Sequence, residues 1–188
     1  MSERFSAVTA LVVALTGTDH HPFERMVRWV DAAAVRHRDV HFLIQHGAAR
    51  PPLVAEGHEF LGHDHLVALL SEALVVVCHG GPGTIMEARE AGHVPLCLPR
   101  DPRLGEHVDG HQQRFAAVVG AAGVVRAIAT LDTFDHELAD ALARAPGSGA
   151  VTTTRLDRDA ARARAASELD DLVSLRPHRP GRPHRTSL

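Results

Sequence analysis

Leu74-Val75-Val76-Val77-Cys78-His79-Gly80-Gly81-Pro82-Gly83-Thr84-Ile85-Met86-Glu87 takes the chain from a buried strand through a bare turn into a helix. Consecutive branched apolar residues suit a parallel strand covered on both faces. Gly80, Gly81 and Gly83 strip the turn of side chains, since glycine accepts positive φ and leaves the main chain open. Thr84 is read as the start of the helix. The first N–H groups of a helix lack intrahelical partners and carry the positive end of its dipole, so an anion is held there without a lysine. Thr84 can cap the helix or donate its hydroxyl to a phosphate, and Glu87, three residues on along the same face, can accept from two ribose hydroxyls. His79 can donate a ring N–H to a diphosphate, and Gln112 and Gln113 offer donors and acceptors suited to sugar hydroxyls.

Taken singly, each feature has a plainer reading. Glycine turns also serve packing, Glu87 alone reads as a solvated helix residue, and His79 alone as a satisfied, partly buried histidine. Packing does not require all of them in this order.

Outward from the turn, strand and helix patterns alternate. Residues 7–15 are rich in Val and Leu and read as a first buried strand, followed by a helix from His21-Pro22 to about Arg36 with Phe23, Met26, Val27 and Val30 at helical spacing. Val40–Ile44 is a second strand, 47–57 a loop with Pro51-Pro52, His58–Leu61 a short third strand and His65–Ala73 a helix. After the glycine turn come a helix from Thr84 to Ala91, a strand over Val94–Leu98, a polar loop over 100–110, a helix over His111–Gly120 and a strand over Val124–Ile128. Thr130 is placed to cap a helix running to about Ala145. The pattern predicts an α/β fold with a doubly wound parallel sheet, whose ligands bind beyond the C-terminal strand ends. Gly17-Thr18, the 80–84 turn and the 100–113 loop all fall at those ends, which predicts one composite site.

The chain has 188 residues, room for one ordinary domain, expected over residues 1–146. Gly147–Gly149 breaks the pattern, an extension over 147–175 carries a helix from Asp157 to Leu175, and residues 176–188 form a basic, proline-rich tail expected to be disordered and suited to weak contact with anionic lipid. The formal charge is -3, every cationic residue is arginine, and no general basic surface points to nucleic acid. Cys78 and Cys97 are expected at the ends of adjacent buried strands, and two cysteines without a signal peptide point to a reducing cytoplasm. His63 with His65, and His107 with His111, have ligand-like spacing, but neither pair has cysteine or carboxylate companions in evident register, so no metal is expected.

The turn resembles the donor-binding half of glycosyltransferases. His79, Gly81, Thr84 and Glu87 fall on the His, Gly, Ser and Glu of the H-C-G-x-x-S-x-x-E signature of plant and animal glucosyl- and glucuronosyltransferases. A closer resemblance is to glycosyltransferase family 28, whose C-terminal domain reads S-H-A-G-x-G-S-x-x-E-A, then spaced Gly and Pro residues, then D-N-H-Q. This chain has Cys78 to Thr84, Glu87-Ala88, Gly92, Pro95, Pro99 and then Asp109-Gly110-His111-Gln112. Residues Val12 to Asp19, with Phe23 and Val27, resemble the V-T-V-G-T opening of small donor-binding subunits that serve dolichol-linked oligosaccharide or bacterial exopolysaccharide synthesis. Gln45-His46-Gly47 resembles the Q-x-G after their second strand. Departures are Gly80-Gly81-Pro82 for A-G-x and Gly110 for Asn.

The resemblance implies a Rossmann-like sheet forming the C-terminal half of a GT-B glycosyltransferase. It implies an inverting, metal-independent transfer with no cofactor, from a UDP-sugar to a lipid-linked or polysaccharide acceptor, with UDP-N-acetylglucosamine favoured. A GT-B enzyme needs two halves, so activity is expected only with a membrane-associated acceptor-binding subunit, which would place the chain in the cytoplasm at the inner face of the membrane. Gly17, Thr18, His79, Gly81, Gly83, Thr84, Glu87, Gln112 and Gln113 are the expected substrate-binding residues. No catalytic base is assigned; His20 and His21 are rim candidates, set against the chance placement of 15 histidines. A non-catalytic nucleotide-sugar sensor or regulatory module is the alternative. An α/β-hydrolase would need a G-x-S-x-G elbow downstream, and a dinucleotide oxidoreductase a G-x-G-x-x-G after the first strand; both are missing.

Overall fold

The computed structural model describes residues 10–144. Its strands are β1 (Ala10–Leu15), β2 (Val40–Gln45), β3 (Glu56–His58), β4 (Val75–Cys78), β5 (Leu96–Cys97) and β6 (Arg126–Ala127). The helices between and after them are α1 (Glu24–Arg36), α2 (His63–Glu72), α3 (Pro82–Glu90), α4 (His111–Ala121) and α5 (Leu131–Ala143). The strands form one parallel sheet in the order β3-β2-β1-β4-β5-β6, the doubly wound arrangement.

Two-residue alternation sorts the strand side chains between two apolar layers. Val12, Ala14, Phe42, Ile44, Val75 and Val77 face one side, where Met26, Val27 and Val30 of α1 and Phe134 and Leu138 of α5 cover them. Val13, Leu15, Leu43 and Val76 face the other, against Leu70 of α2 and Ala88 of α3. Burial on both faces explains why these strands read as continuous apolar runs. Beside them, Cys78 and Cys97 stand opposite each other in register, both buried, with Ile85, Ala116 and Val119 packed around them. A hydrogen bond with Cys97 and burial push the Cys78 thiol well up.

The helices stop where glycine lets them. At α3, the His93 N–H reaches the Ala88 carbonyl and the Gly92 N–H the Arg89 carbonyl, with Gly92 at φ 90°. The same six-to-one and five-to-two closure ends α4 at Gly123, whose φ is 74°. Thr130 caps α5 as expected, its hydroxyl accepting the Thr133 N–H at 3.2 Å.

Several boundaries differ from the sequence reading. α1 starts at Glu24 because the Asp19 carboxylate takes the His21 N–H at 2.8 Å and holds 19–21 in a turn. β3 lies at Glu56–His58, earlier than expected: Gly57 runs so close to Pro52 that a Cβ there would stand 2.7 Å from its ring. α2 begins at His63, and α3 at Pro82, whose missing N–H and fixed φ suit a first helical position. β5 and β6 are only two residues each, because Val94 stays exposed and Val124 and Val125 pack sideways into the α3–α4 cluster. Residues 7–9 of the first strand, the 157–175 helix and the 176–188 tail lie outside the described residues. No described helix is long and apolar enough to cross a membrane.

Ile44, fully buried in β2, tests the core: Ile44→Ala is expected to lower the unfolding free energy by about 2–5 kcal/mol. Val35→Ala, on the exposed side of α1, should change it by less than about 0.5 kcal/mol in the same urea titration.

Candidate functional site

β1 and β4 are neighbours, yet the chain leaves them toward opposite edges of the sheet, which opens a crevice at their C-terminal ends. A cavity of about 600 Å³ lies there. Its walls are Gly17, Thr18 and Asp19 after β1, Gln45 from β2, Phe60, Leu61, His63 and Leu66 before and within α2, the turn and first helical residues after β4, and Gln112.

The His79 ring is wedged between two glycines. A Cβ at Gly17 would stand 2.5 Å from its Nε2, and one at Gly81 would stand 2.1 Å from its Cε1. Gly17 also has φ 82°. In the turn itself no glycine has positive φ, so Gly80, Gly81 and Gly83 are there for space and not for a left-handed backbone. Gly80 is backed by Gln112, whose Cβ would be 2.9 Å from an added Cβ. Gly83 is different: a Cβ there would meet no protein atom within 4 Å, so its bareness leaves room that only the cavity uses.

Gly81 is the N-cap of α3 and Thr84 its third residue, so Thr84 does not cap the helix as one sequence reading allowed. Its hydroxyl instead stands 3.2 Å from His79 Nε2. Pro82 has no N–H, and those of Gly83 and Thr84 have no hydrogen-bond partner among the described residues. Two main-chain donors and the positive end of the helix therefore face the cavity. Glu87, one turn further, lines the same cavity and is engaged by no protein group among the described residues.

Around this mouth the loops are fastened by buried polar side chains. Gln45 accepts the Gly17 N–H at 3.1 Å and donates to the Gly17 and Glu59 carbonyls at 3.1 and 3.0 Å. Gln112 accepts the Gly80 and Arg100 N–H groups at 3.1 and 3.2 Å, so its oxygen holds the turn and is not free for a sugar. Arg100, 1% exposed, donates to the carbonyls of Thr16, His21 and Glu106 and lies over the Phe23 ring. Glu106 is in turn gripped by two of the three Arg25 side-chain nitrogens and by the Asp101 N–H.

These surroundings set the charges. Burial, with the positive Arg100 nearby, pushes His79 down to about 4, so its imidazole is neutral at physiological pH. Asp19 is partly desolvated, which opposes ionisation, but hydrogen bonds from the His21 N–H and ring and the charge of Arg100 outweigh it and hold the carboxyl at about 2.

Of the residues expected from sequence, Gly17, Thr18, His79, Gly81, Gly83, Thr84, Glu87 and Gln112 converge on one cavity. Gln113 does not line it; its side-chain oxygen lies back toward Gly110. His21 is bound to Asp19 at 2.6 Å, while the His20 side chain is 86% exposed. Asp19, Phe60, His63 and Leu66 were missed as wall residues. Phe60 had been read inside a strand; an aromatic residue beside the Gly57 and Gly62 turn signals was the available clue. Two rim clusters have the make-up of metal ligands, Asp19-His20-His21 and His107-Asp109-His111, whereas His63 and His65 gather no such trio among the described residues.

A family model described as the glycosyltransferase family 28 C-terminal domain matches residues 11–160. No curated protein sequence matches the chain. Among solved structures, the glycotransferase of kitacinnamycin superposes with a TM-score of 0.59 at 18% identity, covering 92% of this chain and 44% of that one. The spinosyn forosaminyltransferase gives 0.57 at 19%, covering 88% and 44%, and a glycosyltransferase from Streptomyces nogalater 0.52 at 20%, covering 90% and 44%. This chain thus spans less than half the length of each, and at such identities the likeness shows the fold alone. That fold is the one expected, a Rossmann-like sheet of the kind that forms the C-terminal half of a GT-B glycosyltransferase.

Gly81→Ala is expected to drive the His79 ring from its slot and lower the melting temperature. A neutral, partly buried His79 also makes the fold acid-sensitive: the unfolded chain binds the extra proton below about 6.5, so stability falls as pH drops from there to about 4. The loss is at most about 3 kcal/mol by linkage. His79→Gln should flatten that part of the stability profile, measured by denaturant titration at each pH.

Proposed function

Because the chain belongs to the glycosyltransferase family 28 C-terminal domain, we propose that it is the donor-binding, catalytic subunit of an inverting glycosyltransferase that moves a sugar from a UDP-sugar to a lipid-linked or polysaccharide acceptor. The observation that carries this reading is that free main-chain donors, a neutral imidazole and an unengaged carboxylate open onto one cavity.

The diphosphate lies across the mouth of α3, accepting from the Gly83 and Thr84 N–H groups and from the Thr84 hydroxyl, which in turn accepts from His79 Nε2. Glu87 accepts from the ribose hydroxyls. Phe60, 68% exposed at the cavity wall, offers its face to the nucleobase. The acceptor hydroxyl attacks the anomeric carbon from the side opposite the phosphate and gives up its proton to a base on the acceptor side; the carbon–oxygen bond to the diphosphate breaks, and the departing negative charge gathers where those donors point. No metal or other cofactor takes part. UDP-N-acetylglucosamine is the favoured donor by resemblance. A membrane-associated partner at the cytoplasmic face supplies the acceptor site.

Titration calorimetry with a panel of nucleotide sugars tests this. Glu87→Ala is expected to weaken binding at least tenfold, about 1.4 kcal/mol. Gly83→Ala, which meets no protein atom, should leave stability intact while weakening UDP binding. Unchanged UDP affinity in both variants would sink the donor site, whereas binding without transfer in the presence of an acceptor-binding partner would favour the sensor.

A further inference from the structure

The rim holds a second arrangement that the diphosphate cradle does not use. His107, Asp109 and His111 lie on one short stretch entering α4, and their ligating atoms fall within 4.8 Å of one another. The His107 and His111 rings meet edge-on with centroids 4.6 Å apart. Asp109 Oδ1 is 2.5 Å from His111 Nδ1 and 4.0 Å from His107 Nδ1.

The His107 tautomer is set from behind. Its Nε2 stands 3.3 Å from Asp19 Oδ2, and its Nδ1 receives the Asp109 N–H at 3.4 Å. Both contacts favour a proton on Nε2 and a lone pair on Nδ1; that lone pair accepts the Asp109 N–H through a long contact, which an entering ion displaces. A carboxylate behind a ligating histidine orients the ring and raises its basicity. Asp19 is fixed for that task, because its Oδ1 accepts the His21 N–H at 2.8 Å and stands 2.6 Å from the His21 ring Nδ1.

We propose that His107 Nδ1, Asp109 Oδ1 and His111 Nδ1 form a site for a divalent transition-metal ion of the zinc class, with Asp19 as the anchor of His107. Two imidazoles and one carboxylate are a zinc-type donor set, and the fourth position is left to solvent. Zinc bonds of about 2.0–2.1 Å place neighbouring ligand atoms of a tetrahedron about 3.3 Å apart. The two Asp109 spacings straddle that value, so a modest turn of the Asp109 and His111 side chains, both about half exposed, closes the set. Sequence spacing shows Asp109 between the two histidines, a carboxylate companion in register after all, but it does not show Asp19, which arrives from a loop about ninety residues away. The three ligands lie outside the lining of the donor cavity, with which the site shares only Asp19, and the ion joins the loop before α4 to the one after β1.

The full chain, stripped with chelator and titrated with zinc chloride by calorimetry, is expected to bind one ion saturably and to melt at a higher temperature when loaded. His111→Ala and Asp109→Asn should each lower zinc affinity at least tenfold, and Asp19→Asn by about 10- to 100-fold. His41→Ala is the control: His41 pairs with Glu56 at 2.9 Å on the far edge of the sheet and should leave zinc uptake unchanged. Equal zinc affinity in wild type and in the three site variants, or a wild-type isotherm with no saturable step, would overturn the proposal.

Discussion

A single guanidinium holds the ligand face together. Arg100 sits beyond the end of β5 with almost no access to solvent, and taking a charge out of water is expensive unless its donors find acceptors. Three main-chain carbonyls accept from its two terminal nitrogens and the Phe23 face covers the guanidinium, while the Nε–H stays buried without an acceptor among the described residues. Two of those carbonyls, at Thr16 and His21, belong to the loop after β1; the third, at Glu106, belongs to the loop before α4. The two sides of the crevice are thereby tied through one side chain. Arg25 and Glu106 add a second, partly independent tie. Arginine suits this place because its planar fork stays charged and spreads several donors over separate acceptors.

That buried positive charge also shapes the chemistry in front of it. Burial together with this charge keeps His79 neutral, and the His21 hydrogen bonds together with it keep Asp19 ionised, so the cavity wall carries fixed dipoles and a neutral ring where many phosphate sites carry lysine. A chain with no lysine can still attract a diphosphate, since a helix mouth stripped to glycine presents oriented N–H groups at no cost of reorganisation. The glycines then have distinct duties. Gly17 and Gly81 make a slot for the imidazole, Gly80 makes room for Gln112, and Gly83 makes room for whatever enters from solution.

Much of this was legible in the sequence because it depends on local chemistry. The doubly wound sheet follows from apolar strand runs alternating with helical spacing, and the cradle follows from a strand, bare turn and helix in succession. What the sequence could not disclose depends on distant residues. Nothing near Gln112 says that its oxygen is already bonded to the Gly80 and Arg100 N–H groups. Phe60 was hidden because β3 is short and polar and pairs only with β2, so the aromatic residue falls outside it. Thr84 was placed at the helix start because proline was read as part of the turn, when Pro82 is the first helical residue.

The outermost strands carry a consequence for assembly. β3 offers three residues, Glu56-Gly57-His58, with Glu56 clasped by His41 and His58, and β6 offers two. Edges this brief and this polar make poor templates for a visiting strand. Among the described residues both edges therefore offer little to backbone pairing, which leaves side-chain surfaces as the means by which another molecule would take a grip. Such a grip can be retuned one residue at a time without disturbing the layers beneath.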